Sequence, residues 1–374
     1  MSGETVHGEA ERDSDSLATA KALAQRYRIP LGLIALVVLL KPLVSLPFLL
    51  GFEAIAATML IWMLYVAAFN LLFGYTGLLS FGHAMFLGIG MYAAALGVSG
   101  HAGFPVLGFP LSTVLGMVLA AGLGYGIGRL TVQKGEIYFA FLTLAVAQAI
   151  HFTANKNPGE LTGGSNGISQ GVLPGFVETT RGRLSLPLPF DIAGFGSLDW
   201  YWFVALVFLA AMLALWQITR SPFGRSLVAI RENENLARAM GVNTTRYKVQ
   251  SFTLSAMFAA LAGALLSIND FGASLETLSV TTSGDTVLMA VLGGVRYFFG
   301  PIAGVFLWQF AEEFLTDFGV LDLGIVSLDL AADWPFFLGG IFVIVVVAAP
   351  LEGVWGFLTG RISRLVTRVR GDAE

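Results

Sequence analysis

The chain has 374 residues, of which 56% are hydrophobic and only 12% charged, with a net charge of −4. Soluble domains carry about 25% charged residues, so this chain has about half the charge that a water-covered surface needs. A soluble globular protein is excluded, and the negative balance excludes a nucleic-acid binder that works by neutralising phosphates.

From the N-terminus, residues 1–28 form a polar tail with Glu4, Glu9, Glu11, Asp13 and Asp15, the composition of a disordered segment. The apolar run after Ile29 is long and lacks a small-residue cleavage site, so a retained first helix is expected rather than a leader. At roughly 20 apolar residues per span, helices are predicted near 31–51, 53–73, 79–98, 107–128, 136–153, 200–219 and 249–269. Shorter, Gly-interrupted runs follow near 285–298, 301–316 and 334–357. The fold class predicted is an all-α, polytopic transmembrane helical bundle of about ten spans, or eight to nine if the late runs are broken or re-entrant.

Lysine and arginine collect on the cytoplasmic side of membrane proteins. The 220–248 loop holds Arg220, Arg225, Arg231, Arg238, Arg246 and Lys248, and the tail over 361–374 holds Arg361, Arg364, Arg368 and Arg370. The 317–333 connection holds Asp317, Asp322, Asp329 and Asp333 and no base. Both termini are therefore placed in the cytoplasm, with a membrane domain over 29–360 and a long external loop at 154–198.

Three segments carry functional candidates. Around Phe73–His83, Gly77, Ser80, Gly82 and His83 put small and polar groups near membrane depth, where polar groups often mark a pathway and as often serve helix packing. Thr162, Gly163, Gly164, Ser165 and Asn166 in the external loop suit either a backbone-amide site for a carboxylate or an ordinary turn. In the 220–248 loop, Ser221 and Pro222 are a helix start, Phe223, Leu227 and Ile230 form one apolar stripe, and Gly241 is a terminator. Glu232, Asn233 and Glu234 suit the start of a second short helix, with Leu236 and Met240 on one face of it. Such helices lie on lipid or dock into a partner's groove, and the acidic residues favour docking.

Several chemistries have no residues to support them. There is no phosphate-binding Gly-x-x-x-x-Gly-Lys-Ser/Thr loop, no nucleophile elbow, no cysteine, and no spacing among His7, His83, His101 and His151 that would hold a metal. No cofactor and no enzymatic activity are expected of this chain. Lys41, Asp285, Glu312 and Glu313 are the charges that could be buried, and they would suit an ion-coupled carrier.

Gly74-Tyr-Thr-Gly-Leu-Leu-Ser-Phe-Gly-His-Ala84, Tyr138-Phe-Ala-Phe-Leu-Thr-Leu-Ala145, Leu161-Thr-Gly-Gly-Ser-Asn-Gly167, Ser221–Gly241 and Leu292-Gly-Gly-Val-Arg296…Gly300-Pro-Ile-Ala-Gly304 occur in order over about residues 55–350. Together they resemble the permease family of branched-chain amino-acid ABC transporters, to which urea-importing permeases are similar. The resemblance implies an importer of branched-chain or related amino acids working by alternating access, with a second related permease, two ATPase subunits that use the ATP, and an extracytoplasmic substrate-binding protein. It also implies that Pro222, Phe223, Gly224, Arg225, Arg231, Glu232, Asn233 and Gly241 belong to the ATPase-coupling loop. Arg296-Tyr-Phe-Phe299 is bulkier than the family pattern, and the acidic tail is unfamiliar in it.

Overall fold

The computed structural model describes residues 29–45, 55–169, 173, 177–180, 183–192, 195–318, 320–322, 327–348, 352–357 and 359–360. The polar tail over 1–28 and the basic tail over 361–374 lie outside the described residues. Residues 1–56 and 57–374 are separate compact units. In the first, helix α1 spans Ile29–Val44.

The second unit is a helical bundle. Its long elements are α2 (Ile55–Thr76), α3 (Ala84–Ser99), α4 (Phe109–Thr131), α5 (Glu136–Lys156), α6 (Trp200–Arg220), α9 (Thr244–Asn269), α10 (Val280–Gly293), α11 (Gly300–Phe318) and α12 (Leu330–Ala348). Two short helices, α7 (Pro222–Glu232) and α8 (Glu234–Ala239), lie between α6 and α9. With α1, the described residues hold ten long helices, one for each predicted run, although α3 and α10 start at other residues than expected. Five of them, α2, α4, α5, α6 and α9, are long and apolar enough to cross a membrane unaided.

Three short antiparallel ladders sit in the connections. Strand β1 (Ile168–Ser169) pairs with β5 (Gly272–Ala273), β2 (Glu178–Thr180) and β4 (Phe195–Asp199) flank β3 (Arg183–Ile192), and β6 (Val320–Asp322) pairs with β7 (Ser327–Asp329). The 154–198 connection is thus partly sheet, which its Gly- and Pro-rich composition had concealed.

Hydrogen-bonding side chains mark the helix starts from residue 199 onward. Asp199, Ser221, Asn233, Asn243 and Ser279 each accept a backbone amide two or three residues on. Ser279 explains why α10 runs over Val280–Gly293 and not over the apolar stretch 285–298. Its hydroxyl accepts from Thr282 N at 3.1 Å, starting the helix inside a polar stretch, and Gly294 (φ 107°) ends it.

α9 is the central element, packing on α3, α4 and, through hydrogen bonds, α2. Ser251 Oγ donates to Leu71 O at 3.2 Å, Ser255 Oγ donates to Ala68 O, and Asn269 Nδ2 donates to Thr58 Oγ1 at 3.0 Å. The matching levels show the two helices to be antiparallel. Against α3 the fit is closer still. A Cβ on Gly90 would stand 1.9 Å from Ala260 O, and one on Gly263 would stand 1.9 Å from Leu87 O. On α4, Gly116, Ala120, Gly124 and Gly128 recur every four residues and form the buried stripe that meets α3 and α9.

The close packing gives a direct expectation. Gly90→Ala or Gly263→Ala should destabilise the bundle by about 1–3 kcal/mol through overpacking. Gly126→Ala, where a Cβ meets nothing within 4 Å, should be neutral or slightly stabilising. Denaturation midpoints of the three variants in mild detergent would check this.

Candidate functional site

The 220–248 loop folds as the residue pattern implied. Pro222 follows the cap Ser221, whose Oγ accepts from Gly224 N at 3.3 Å. Gly224 lies where a Cβ would be 2.2 Å from Thr219 O, so only glycine admits this α6–α7 elbow. Leu227 and Ile230 are buried, and Phe223 stacks on Tyr247 with ring centroids 5.4 Å apart. Asn233 Oδ1 accepts from Leu236 N at 2.9 Å and starts α8. Gly241 (φ 87°) closes it, with Val242 N donating to Ala237 O at 3.1 Å.

One ion pair holds α8 against the start of α9 and a second braces α8 itself. Glu234 accepts from Lys248 Nζ at 2.7 Å and from Arg238 Nη2 at 2.9 Å, and Lys248 is almost wholly buried. Burial pushes the Glu234 carboxyl up, but Lys248, Thr244 and Arg238 outweigh it and hold it below the usual 4.5. A hydrogen bond from Arg231 likewise lowers Glu232, helped by the charge of Arg296. Arg225 is exposed. Leu236 and Met240 are 58% and 77% exposed, an apolar pair that the chain leaves uncovered. Arg231 instead turns inward, with Nη1 donating to Gly74 O at the end of α2.

The second candidate segment contains a break in the bundle. Gly77 (φ 81°) ends α2, and Leu78–His83 runs non-helically to the start of α3. The apolar run predicted a helix from residue 79, but α3 begins at Ala84, because Leu78, Leu79 and Phe81 give this non-helical run the same apolar pattern. His83 is recessed in the bundle and fully buried, with ring centroids 5.7 Å from Tyr65 and 5.3 Å from Phe69. Its Nε2 lies 3.3 Å from Ser255 Oγ. Among the described residues, His83 Nδ1, Ser80 Oγ and Asn70 Oδ1 are buried without hydrogen-bond partners. Gly82 lets this run approach α5, since a Cβ there would be 2.1 Å from Thr143 O.

In the 154–198 connection, the backbone amides of Thr162 and Gly163 already have a partner. Asn157 Oδ1 accepts from Thr162 N at 2.9 Å, Thr162 Oγ1 at 3.1 Å and Gly163 N at 3.0 Å. Gly163, Gly164 and Gly167 all have positive φ, and Ser165 and Asn166 are exposed. Thr162 also lines a cavity of about 420 Å³ with Gly88, Tyr92, Thr153 and Leu278. Asp285, Glu312 and Glu313 are half-buried on α10 and α11.

The described geometry is that of a helical bundle with five helices long and apolar enough to cross a membrane and a capped, ion-paired loop over 220–248. Residues 51–347 match the family model of the branched-chain amino acid transport system, permease component. The chain belongs to this family.

The permease is 30% identical over 327 residues to the high-affinity branched-chain amino acid transport system permease protein LivM of Salmonella typhimurium, covering 84% of this chain and 73% of that one. LivM of Escherichia coli is 28% identical over the same shares. The autoinducer 2 import system permease protein LsrC of Photorhabdus laumondii is 31% identical over 173 residues, 44% of this chain and 46% of its own. No solved structure matches the chain. The permease is thus a multi-pass, non-enzymatic subunit of an ABC transporter.

Sequence reasoning missed Asn157, Asn70 and the anchoring role of Lys248. An Asn directly after a helix and before a Gly-rich turn was the available signal for the first. The other two depend on partners in distant elements.

For Glu232 and Glu234 the folded-state values lie below the usual one, so folding favours their ionised forms. Their stabilising contribution is complete above the usual 4.5 and is lost as pH falls through the depressed values. Amide exchange over 222–248, corrected for intrinsic rates, should be flat from pH 7 to about 5 and rise below that. Glu234→Gln should remove the part of the rise that belongs to α8.

Proposed function

We propose that the permease moves branched-chain or related amino acids across the inner membrane by alternating access, driven by two ATPase subunits, one of them seated on the α7–α8 loop. One observation carries the reading. Leu236 and Met240 stand exposed on a segment held rigid by a cap and two ion pairs, with carboxylates beside them. A helix lying on lipid favours bases beside its apolar face, whereas a protein groove suits apolar anchors flanked by mixed charge, as Glu232, Glu234 and Arg238 supply here.

In this reading the 220–248 loop is cytoplasmic, and the connection after α5 faces an extracytoplasmic binding protein. A second, related permease completes the path. Branched-chain substrates are preferred because the two LivM relatives cover 84% of this chain, against 44–69% for the LsrC relatives. The three unpartnered polar atoms of Asn70, Ser80 and His83 support motion at the α2–α3 break. A conformation that admits water there would satisfy all three, as an opening pathway requires.

Leu236→Asp combined with Met240→Asp should leave membrane insertion intact and lower co-purified ATPase about tenfold or more, the usual cost of losing central apolar anchors. Undiminished ATPase would sink the docking reading. Uptake into proteoliposomes by the assembled importer should be competed by leucine, isoleucine and valine. Competition by urea instead would reassign the substrate.

A further inference from the structure

α7 and α8 pack on α9 through Phe223–Tyr247 and Glu234–Lys248, and Arg231 carries the loop on to the end of α2, where the observations go beyond docking. The last carbonyls of a helix lack partners within it. At the end of α2, Phe73 O accepts from Gly77 N and Leu72 O accepts from Leu78 N. Leu71 O accepts from both Thr76 Oγ1 and Ser251 Oγ. Gly74 O is taken by Arg231, a residue of α7 that lies 157 positions away in sequence. A cation at a helix C-terminus is also the favourable sign for the helix dipole.

The fit around the guanidinium is close on every side. A Cβ on Gly77 would stand 3.0 Å from Arg231 Cγ, so the arginine stem lies across this glycine. A Cβ on Gly74 would stand 2.2 Å from both Val295 O and Asn70 Oδ1, which brings the α10–α11 turn to the same place. The far edge of the guanidinium is held by Glu232, with Nη2 and Nε donating to Oε1 at 2.6 and 3.2 Å. The turn is gripped beside the arginine as well. Tyr75 lines a small void with Leu215 and Thr219 of α6, and Thr76 Oγ1 lies 2.6 Å from Ser251 Oγ.

We infer that Arg231 is a positioning residue that transmits movement of α7–α8 to the Gly74–Gly77 turn, and so to the recessed Leu78–His83 run and α3, without itself contacting the ATPase. This rests on the docking reading above. The connection beyond the turn is continuous, because Ala84 N at the start of α3 donates to Ser283 Oγ of α10 at 3.0 Å. A shift at the end of α7 would therefore reach α2, α3 and α10 together.

The test uses the assembled importer with vanadate-trapped nucleotide, reading hydrogen exchange at residues 222–241 and 74–84 and the amount of ATPase retained. In the wild type, trapping should alter exchange in both segments. In Arg231→Gln, ATPase should stay bound and 222–241 should still respond, while the response at 74–84 shrinks about tenfold, the size one lost charge-assisted hydrogen bond gives. Arg231→Lys, which keeps the charge but not the two-sided fork, should recover only part of it.

Should Arg231→Gln not assemble, Arg231→Met, which keeps the stem across Gly77 but cannot donate to Gly74 O, should give the same loss at 74–84. A full response at 74–84 in these variants would overturn the inference and leave docking intact. Loss of ATPase from Arg231→Gln alone would make Arg231 a docking contact and also overturn it. Failure of the wild-type chain to hold ATPase would instead overturn the docking reading, and this one with it.

Discussion

Inside lipid there is no water to squeeze out from between helices, so packing must come from direct backbone approach and from shared hydrogen bonds. That constraint shapes this chain throughout. α3 and α9 touch backbone to backbone at Gly90 and Gly263, and α10 and α11 do the same at Gly293 and Gly304. Serine hydroxyls on α9 reach carbonyls on α2 at successive levels. Once these contacts set the bundle, its interior can hold a short non-helical run without exposing unmet backbone groups to lipid.

The 220–248 loop follows a different logic, because its short helices are polar and largely exposed. Its order comes from caps, two ion pairs and a glycine stop, each of which stabilises a segment too short to hold a helix alone. The two regimes meet where the arginine crosses from this loop to the end of α2. There the side chain is shielded but not sealed from water, and its charge is matched by Glu232.

Much of this was legible in the chain, and the limits have physical causes. Ser221, Pro222, Leu227, Ile230, Asn233 and Gly241 behave as their local chemistry implied, since caps and stripes depend on neighbours within a few residues. The starts of α3 and α10 were misplaced because hydropathy reports solubility and not backbone conformation. Leu78 and Phe81 are apolar without being helical, while Thr281, Thr282 and Ser283 are polar and helical. The inward turn of Arg231 was invisible because its acceptor is a backbone carbonyl that any sequence supplies. Asn157 was overlooked for a related reason: a Gly-rich turn reads the same whether its amides are free or already taken.

The recessed start of α3 also bears on how the protein is made. The partners that cover this region, Ser251, Ser255 and Ser283, lie 172 to 199 positions after the groups they serve. At about 5–20 residues per second, synthesis needs roughly 10–40 s to supply them. During that interval α2 and α3 have emerged with a polar, unpaired break between them. Membrane insertion of this chain therefore cannot be a simple sequence of independent helices, because its N-terminal hairpin stays incomplete until the C-terminal half arrives.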